Sequence, residues 1–114
     1  MLTVEKIGGT SMSKFQEVLQ NIILAPCKDC DYYNRIFVVS AYNNVTNWLL
    51  EHKKTKEPGI YLKFVHNGDY NKALYDLLEK LIAINRTFAG IKLDQDKADA
   101  FITQRVNQAE NYLN

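Results

Sequence analysis

The sequence predicts an α/β fold in which two parallel strands alternate with several helices. Three observations carry that prediction. The run at 2–7, Leu-Thr-Val-Glu-Lys-Ile, alternates in polarity and stops at Gly8-Gly9, as a strand does. The run at 35–40, Arg-Ile-Phe-Val-Val-Ser, is short, apolar and β-branched, which suits a strand buried on both faces of a parallel sheet. Apolar residues at helical spacing lie between and after these runs, and β-α-β order implies right-handed crossovers.

Each element has its own signal. After Gly8-Gly9, Ser13 and Gln16 match a capping box. Phe15, Val18, Leu19, Ile22 and Ile23 then fall at spacings of three and four. Pro26 and the polar run to Asn34 stop that helix. Past the second strand, Tyr42-Asn43-Asn44 reads as a turn into a helix with Val45, Trp48, Leu49 and His52 on one side. Pro58-Gly59 and Asn67-Gly68 punctuate 53–69, which reads as a linker holding a short ordered piece from Ile60 to Val65. Tyr70, Ala73, Leu74, Leu77, Leu78, Leu81 and Ile82 define an amphipathic helix. A second begins at Asp94, its expected N-cap, with Ala98, Phe101, Ile102, Val106, Ala109 and Leu113 on one face. The organisation expected is a β-α-β-α unit over 1–52, a linker over 53–69 and a helical segment over 70–114.

Composition narrows the function classes. At 114 residues, one domain is the ceiling. A net charge of +1 supplies no field to attract nucleic acid or an acidic membrane. No apolar run approaches the roughly 18 residues of a membrane span, and the first residues lack a signal-peptide pattern. A cytoplasmic protein is expected. Cys27-Lys28-Asp29-Cys30 follows Ala25-Pro26 at the end of a helix, not the helix N-terminus that a redox thiolate favours. His52 and His66 are too far off to complete a zinc set, so the pair reads as two reduced thiols and no metal site is expected.

The chemistry lies in two loops. In Lys6-Ile7-Gly8-Gly9-Thr10-Ser11 a lysine precedes a Gly-Gly pair and two hydroxyls follow. Lys6 places an ammonium near a transferring phosphoryl group. Gly8 and Gly9 let backbone N–H groups approach phosphate oxygens. Thr10 and Ser11 add hydroxyl donors at the start of a helix. Taken alone, the motif more often marks a tight turn with an exposed lysine than a phosphate site. Ser40, at the end of the second strand, and Thr46, in the first turn of the next helix, bring hydroxyls to the same sheet edge, where α/β proteins bind ligands. Thr46 and Asn47 also suit plain capping roles.

These segments resemble a known family. Lys6-Ile-Gly-Gly-Thr-Ser-Met12 looks like the K-F-G-G-T-S signature of aspartate kinases. Val38-Val-Ser-Ala-Tyr-Asn-Asn-Val-Thr-Asn47 resembles their second signature, and Leu49 to Tyr61 resembles the aspartokinases linked to ectoine synthesis. The resemblance implies the N-terminal portion of an amino-acid-kinase-type three-layer α/β/α fold. It implies ATP and L-aspartate as partners, Mg²⁺ carried by the nucleotide, and a homo-oligomer. Lys6 matches the lysine that contacts ATP phosphates, Gly8 to Ser11 and Ser40 match the phosphate loops, and Thr46 matches the threonine that contacts aspartate. One departure stands out: Asn44 replaces the usual glycine, and asparagine is the least costly other residue at positive φ. The resemblance also implies that the glutamate for the substrate amine, the serine-aspartate motif, the adenine pocket and the regulatory domains lie past Asn114. The chain is therefore expected to be a fragment without kinase activity of its own. The alternative is a non-catalytic anion-binding or interaction module derived from the kinase fold.

Overall fold

The computed structural model describes residues 2–24 and 32–114. Pro26 and the Cys27–Cys30 pair lie outside the described residues. The fold class is α/β: two parallel strands and six α-helices among the described residues. The chain divides into two compact units, Met1–Val45 and Thr46–Asn114.

In the first unit, β1 (Thr3–Ile7) pairs in parallel with β2 (Arg35–Val39), Lys6 opposite Val38 and Ile7 opposite Val39. Partner residues share a face of the sheet. One face carries Ile7 and Phe37, which pack with Met12, Val18, Phe15, Ile23 and Tyr42. The other carries Val4, Ile36 and Val38, which are 67%, 47% and 51% exposed. The expectation that β2 is buried on both faces is therefore corrected: with two strands and helices packed on one side, its second face stays open. Glu5 and Arg35 join the strands through a two-pronged ion pair, Nε to Oε1 at 2.8 Å and one terminal nitrogen to Oε2 at 2.9 Å. The same guanidinium donates to the Ile23 carbonyl at 2.7 Å and lies 4.7 Å from the Phe37 ring centre.

The helical region after β1 differs from its prediction. It starts at once, as α1 (Gly9–Met12), and resumes as α2 (Phe15–Val18), followed by a π-helical turn at Leu19–Leu24. Ser13 is no N-cap. Its hydroxyl donates back to the Thr10 carbonyl at 2.6 Å and closes α1.

In the second unit, α3 (Val45–Leu49) is a short helix beginning at the unit boundary. His52 is not on it, because the chain has already turned. The His52 ring Nδ1 accepts from the backbone N–H groups of Lys54 and Thr55 at 3.2 and 3.1 Å, and Gly59 N–H takes the Leu50 carbonyl at 2.9 Å. Helix α4 (Ile60–Val65) follows and ends in a Schellman motif. Gly68 N–H donates to the Lys63 carbonyl and Asn67 N–H to that of Phe64, with Asn67 at φ 58°. Helix α5 (Tyr70–Arg86) is capped by Asp69 and α6 (Gln95–Leu113) by Asp94, each carboxylate accepting a backbone N–H three residues on. Ile60, Leu74, Leu77 and Val106 form the core, with Trp48, Tyr70, Leu81, Ile102 and Leu113 packed around it. At one end Asp99 accepts from Asn85 and Arg86, and Gln95 bonds the Asn85 carbonyl. Phe101, expected on the inner face of α6, is instead 57% exposed under the Arg105 guanidinium. No described helix is long and apolar enough to cross a membrane.

Candidate functional site

The turn after β1 is built by a change of burial. Ile7 is pinned in the core at 6% exposure, and the chain leaves it through Gly8, which is extended at φ −75° and ψ 171°. The first backbone bond of α1 runs from Met12 N–H to the Gly8 carbonyl at 3.0 Å. The N–H groups of Gly9, Thr10 and Ser11 precede that bond, so the helix itself supplies them no acceptor. Neither glycine has positive φ, so backbone conformation does not require them. Packing does not require Gly8 either: a Cβ there would meet nothing within 4 Å. At Gly9 the nearest atom would be the Ser40 hydroxyl oxygen, 3.7 Å away.

Ser40 is thus beside the turn. Its backbone N–H donates to the Ile7 carbonyl at 3.1 Å, extending the parallel ladder by one bond past β2. The structure therefore brings Gly8, Gly9 and Ser40 together at the end of the strand pair, and Lys6, Thr10, Ser11 and Ser40 are exposed. Lys6 sits one residue before Ile7 on the open face of the sheet, with Val4. A cavity of about 340 Å³ opens beside α1, lined by Thr10, Ser11, Ser13, Lys14, Glu17 and Asn21 among others. Thr46 belongs to the second unit, where it is exposed and its carbonyl accepts Leu50 N–H at 2.9 Å. Asn44 adopts φ 70°, the left-handed conformation that a glycine at that position would supply.

Two charged residues of the strand pair, Glu5 beside Lys6 and Arg35 opposite Thr3, escaped the reading of the sequence. Glu5 and Arg35 fix the relative register of β1 and β2, and with it the position of Lys6 against Val38. The Arg35 hydrogen bond holds the Glu5 carboxyl below its ordinary pKa, although desolvation opposes it. The available signal was a pair of opposite charges on two predicted strands, separated by thirty positions.

A parallel β-α-β unit with a Gly-Gly-Thr-Ser turn at its sheet end, and a serine on the neighbouring strand beside it, has the layout of α/β proteins that hold anionic ligands at strand ends. Comparison with known proteins finds a likeness to one curated protein. The chain is 44% identical to "Aspartate kinase Ask_Ect" of Stutzerimonas stutzeri (strain A1501) over an alignment 116 positions long that covers 99% of the chain. The likeness to this aspartate kinase extends along nearly the whole chain, beyond the two signature segments at Lys6–Met12 and Val38–Asn47. The chain spans about a quarter of that relative, 24% of its length. No family model matches the chain, and no solved structure matches it.

Proposed function

We propose that this chain supplies the phosphate-binding part of an aspartate kinase, which transfers the γ-phosphoryl group of ATP to the β-carboxylate of L-aspartate and forms 4-phospho-L-aspartate. The observation that carries the proposal is the 44% identity to an aspartate kinase along 99% of the chain. The name of that relative, Ask_Ect, agrees with the likeness of Leu49 to Tyr61 to the ectoine-linked type. The open space at Gly8 supports the loop's role. A glycine that neither backbone conformation nor packing demands is accounted for by close approach of a ligand to the main chain.

The chemistry asks little of a base. The aspartate side chain has an ordinary pKa of about 3.9 and is already ionised at neutral pH. The difficulty is bringing one anion onto another. In this reading the N–H groups of Gly9, Thr10 and Ser11 and the hydroxyls of Thr10, Ser11 and Ser40 hold phosphate oxygens, and Lys6 neutralises charge on the transferring group. Thr46 contacts aspartate. Mg²⁺ arrives with the nucleotide and screens its phosphates. The catalytic protein in this reading is longer than the chain, with 1–52 as its phosphate-loop unit, and is a cytoplasmic homo-oligomer.

The test is turnover of the longer protein, followed by trapping the acyl phosphate as its hydroxamate. Lys6→Ala is expected to lower kcat by more than about tenfold, which is about 1.4 kcal/mol of barrier. Unchanged turnover would remove Lys6 from the mechanism. Absence of any aspartate-dependent product from the wild type would leave the binding-module reading.

A further inference from the structure

The second unit contains a cleft that the kinase reading does not use. It has a volume of about 270 Å³ and lies between the 47–60 segment, α4 and α5. Its apolar wall includes Trp48, Ile60, Ala73 and Leu77. Trp48 is the chain's single tryptophan, and the Lys80 ammonium stands 4.7 Å from its ring centre. Lys63 and His52 also line the cleft, as do Glu57 and Asp76.

The charges fall into two sets. Neither Lys63 nor Lys80 has a carboxylate within 4 Å among the described residues. His52 adds to this donor set. Because its Nδ1 accepts two backbone N–H groups, the neutral ring carries its proton on Nε2. Glu57 and Asp76 form the acceptor set, and Asp76 shares its charge with Lys72, 3.0 Å away. A simple anion would satisfy the ammoniums and be repelled by the carboxylates. A simple cation would meet the reverse. A molecule bearing both charges beside an aliphatic group satisfies both sets and the Trp48 wall.

We propose that this cleft binds a small aliphatic amino acid, with its carboxylate toward Lys63 and Lys80 and its ammonium toward Glu57 and Asp76. The volume of about 270 Å³ falls short of the range of about 300–1,000 Å³ typical of drug-sized ligands, which limits the occupant to a smaller molecule. The lining shares no residue with the kinase assignment: Lys6 to Ser11 and Ser40 belong to the first unit, and Thr46 adjoins the lining residue Asn47 but does not line the cleft.

Trp48 provides the readout, since its emission responds to any occupant that displaces or re-orients Lys80. The 114-residue chain is titrated with three matched probes: L-valine, isovalerate (no ammonium) and isobutylamine (no carboxylate). A saturable change with L-valine is expected, at least tenfold tighter than with either single-charge probe. Lys80→Gln perturbs the reporter as well as the ligand contact, so Lys63→Gln and Asp76→Asn are measured by calorimetry alongside it. Each is expected to weaken L-valine at least fivefold, whereas Lys14→Gln in the first unit leaves it unchanged. No saturation by L-valine at 10 mM or so, on the order of the weakest binding worth calling a site, overturns the proposal. Equal binding of isovalerate, or indifference of L-valine to both Lys63→Gln and Asp76→Asn, overturns it as well.

Discussion

Gly59→Ala tests how the second unit is held together. Gly59 lies where the carbonyls at the end of α3 converge. A Cβ there would stand 2.5 Å from the Trp48 carbonyl oxygen, 2.7 Å from that of Leu50 and 2.8 Å from that of Asn47. All three are backbone atoms, so no side chain can rotate aside. To reach even 3.0 Å, which real Cβ atoms essentially never undercut, the two segments must part by about half an ångström. Overpacking of that kind costs about 1–3 kcal/mol. Parting them also strains the 2.9 Å bond from Gly59 N–H to the Leu50 carbonyl, which contributes roughly 1 kcal/mol. The expected loss is about 2–4 kcal/mol. With a urea dependence of about 2 kcal/mol per molar, the middle of the usual range, the unfolding midpoint falls by roughly 1–2 M. Trp48 belongs to the same unit, so its fluorescence follows the transition directly. Gly8→Ala, where the added Cβ meets nothing, is the control. If both substitutions shift the midpoint equally, the close approach at Gly59 is not what the structure describes.

Two further outcomes follow from the same geometry. Asn44 at φ 70° predicts that Asn44→Val is less stable than Asn44→Gly by about 1–2 kcal/mol, because a β-branched residue resists that conformation and glycine does not; chemical denaturation of the two variants measures the difference. The second concerns acid. Asp99 is held below its ordinary pKa by the Asn85 hydrogen bond and the Arg86 guanidinium, and Glu5 by Arg35, against some desolvation in both. A carboxylate with a depressed folded pKa gives stability that is present above its unfolded value and lost as pH falls through the folded one. Thermal melts should therefore decline as pH drops below about 4, and the Asp99→Asn, Glu5→Gln double variant should flatten that decline. An unchanged slope would show that neither pair contributes.

The parts of the fold legible in the sequence were those with local causes. Asp94 announced its helix because a capping carboxylate bonds three residues on, and the α5 face from Tyr70 to Ile82 repeated often enough to reveal one helix. Local signals also misled. The spacing of Ser13 and Gln16 copied a capping box, yet the helix had already begun at Gly9, a residue of poor helix propensity. His52 continued the spacing of Val45, Trp48 and Leu49, but it is recruited to cap a turn by two backbone N–H groups. The Schellman end of α4 was visible only as the punctuation Asn67-Gly68. Arg35 was unreadable for another reason: as the first residue of an apolar run it looked peripheral, and its partner Glu5 is near only after the strands pair. In the candidate site, the neighbourhood of Gly9 and Ser40 followed from parallel strand order. The open space at Gly8 required coordinates.

The most direct measurement pairs stability with nucleotide use at that glycine. Gly8→Ala is introduced into the longer catalytic protein proposed for this chain, and both its unfolding midpoint and its kcat/KM for ATP are determined. A phosphate loop predicts a midpoint within about 0.5 kcal/mol of the parent and a kcat/KM for ATP lower by at least about tenfold, or 1.4 kcal/mol. Unchanged kcat/KM for ATP would contradict the assignment of this turn to phosphate.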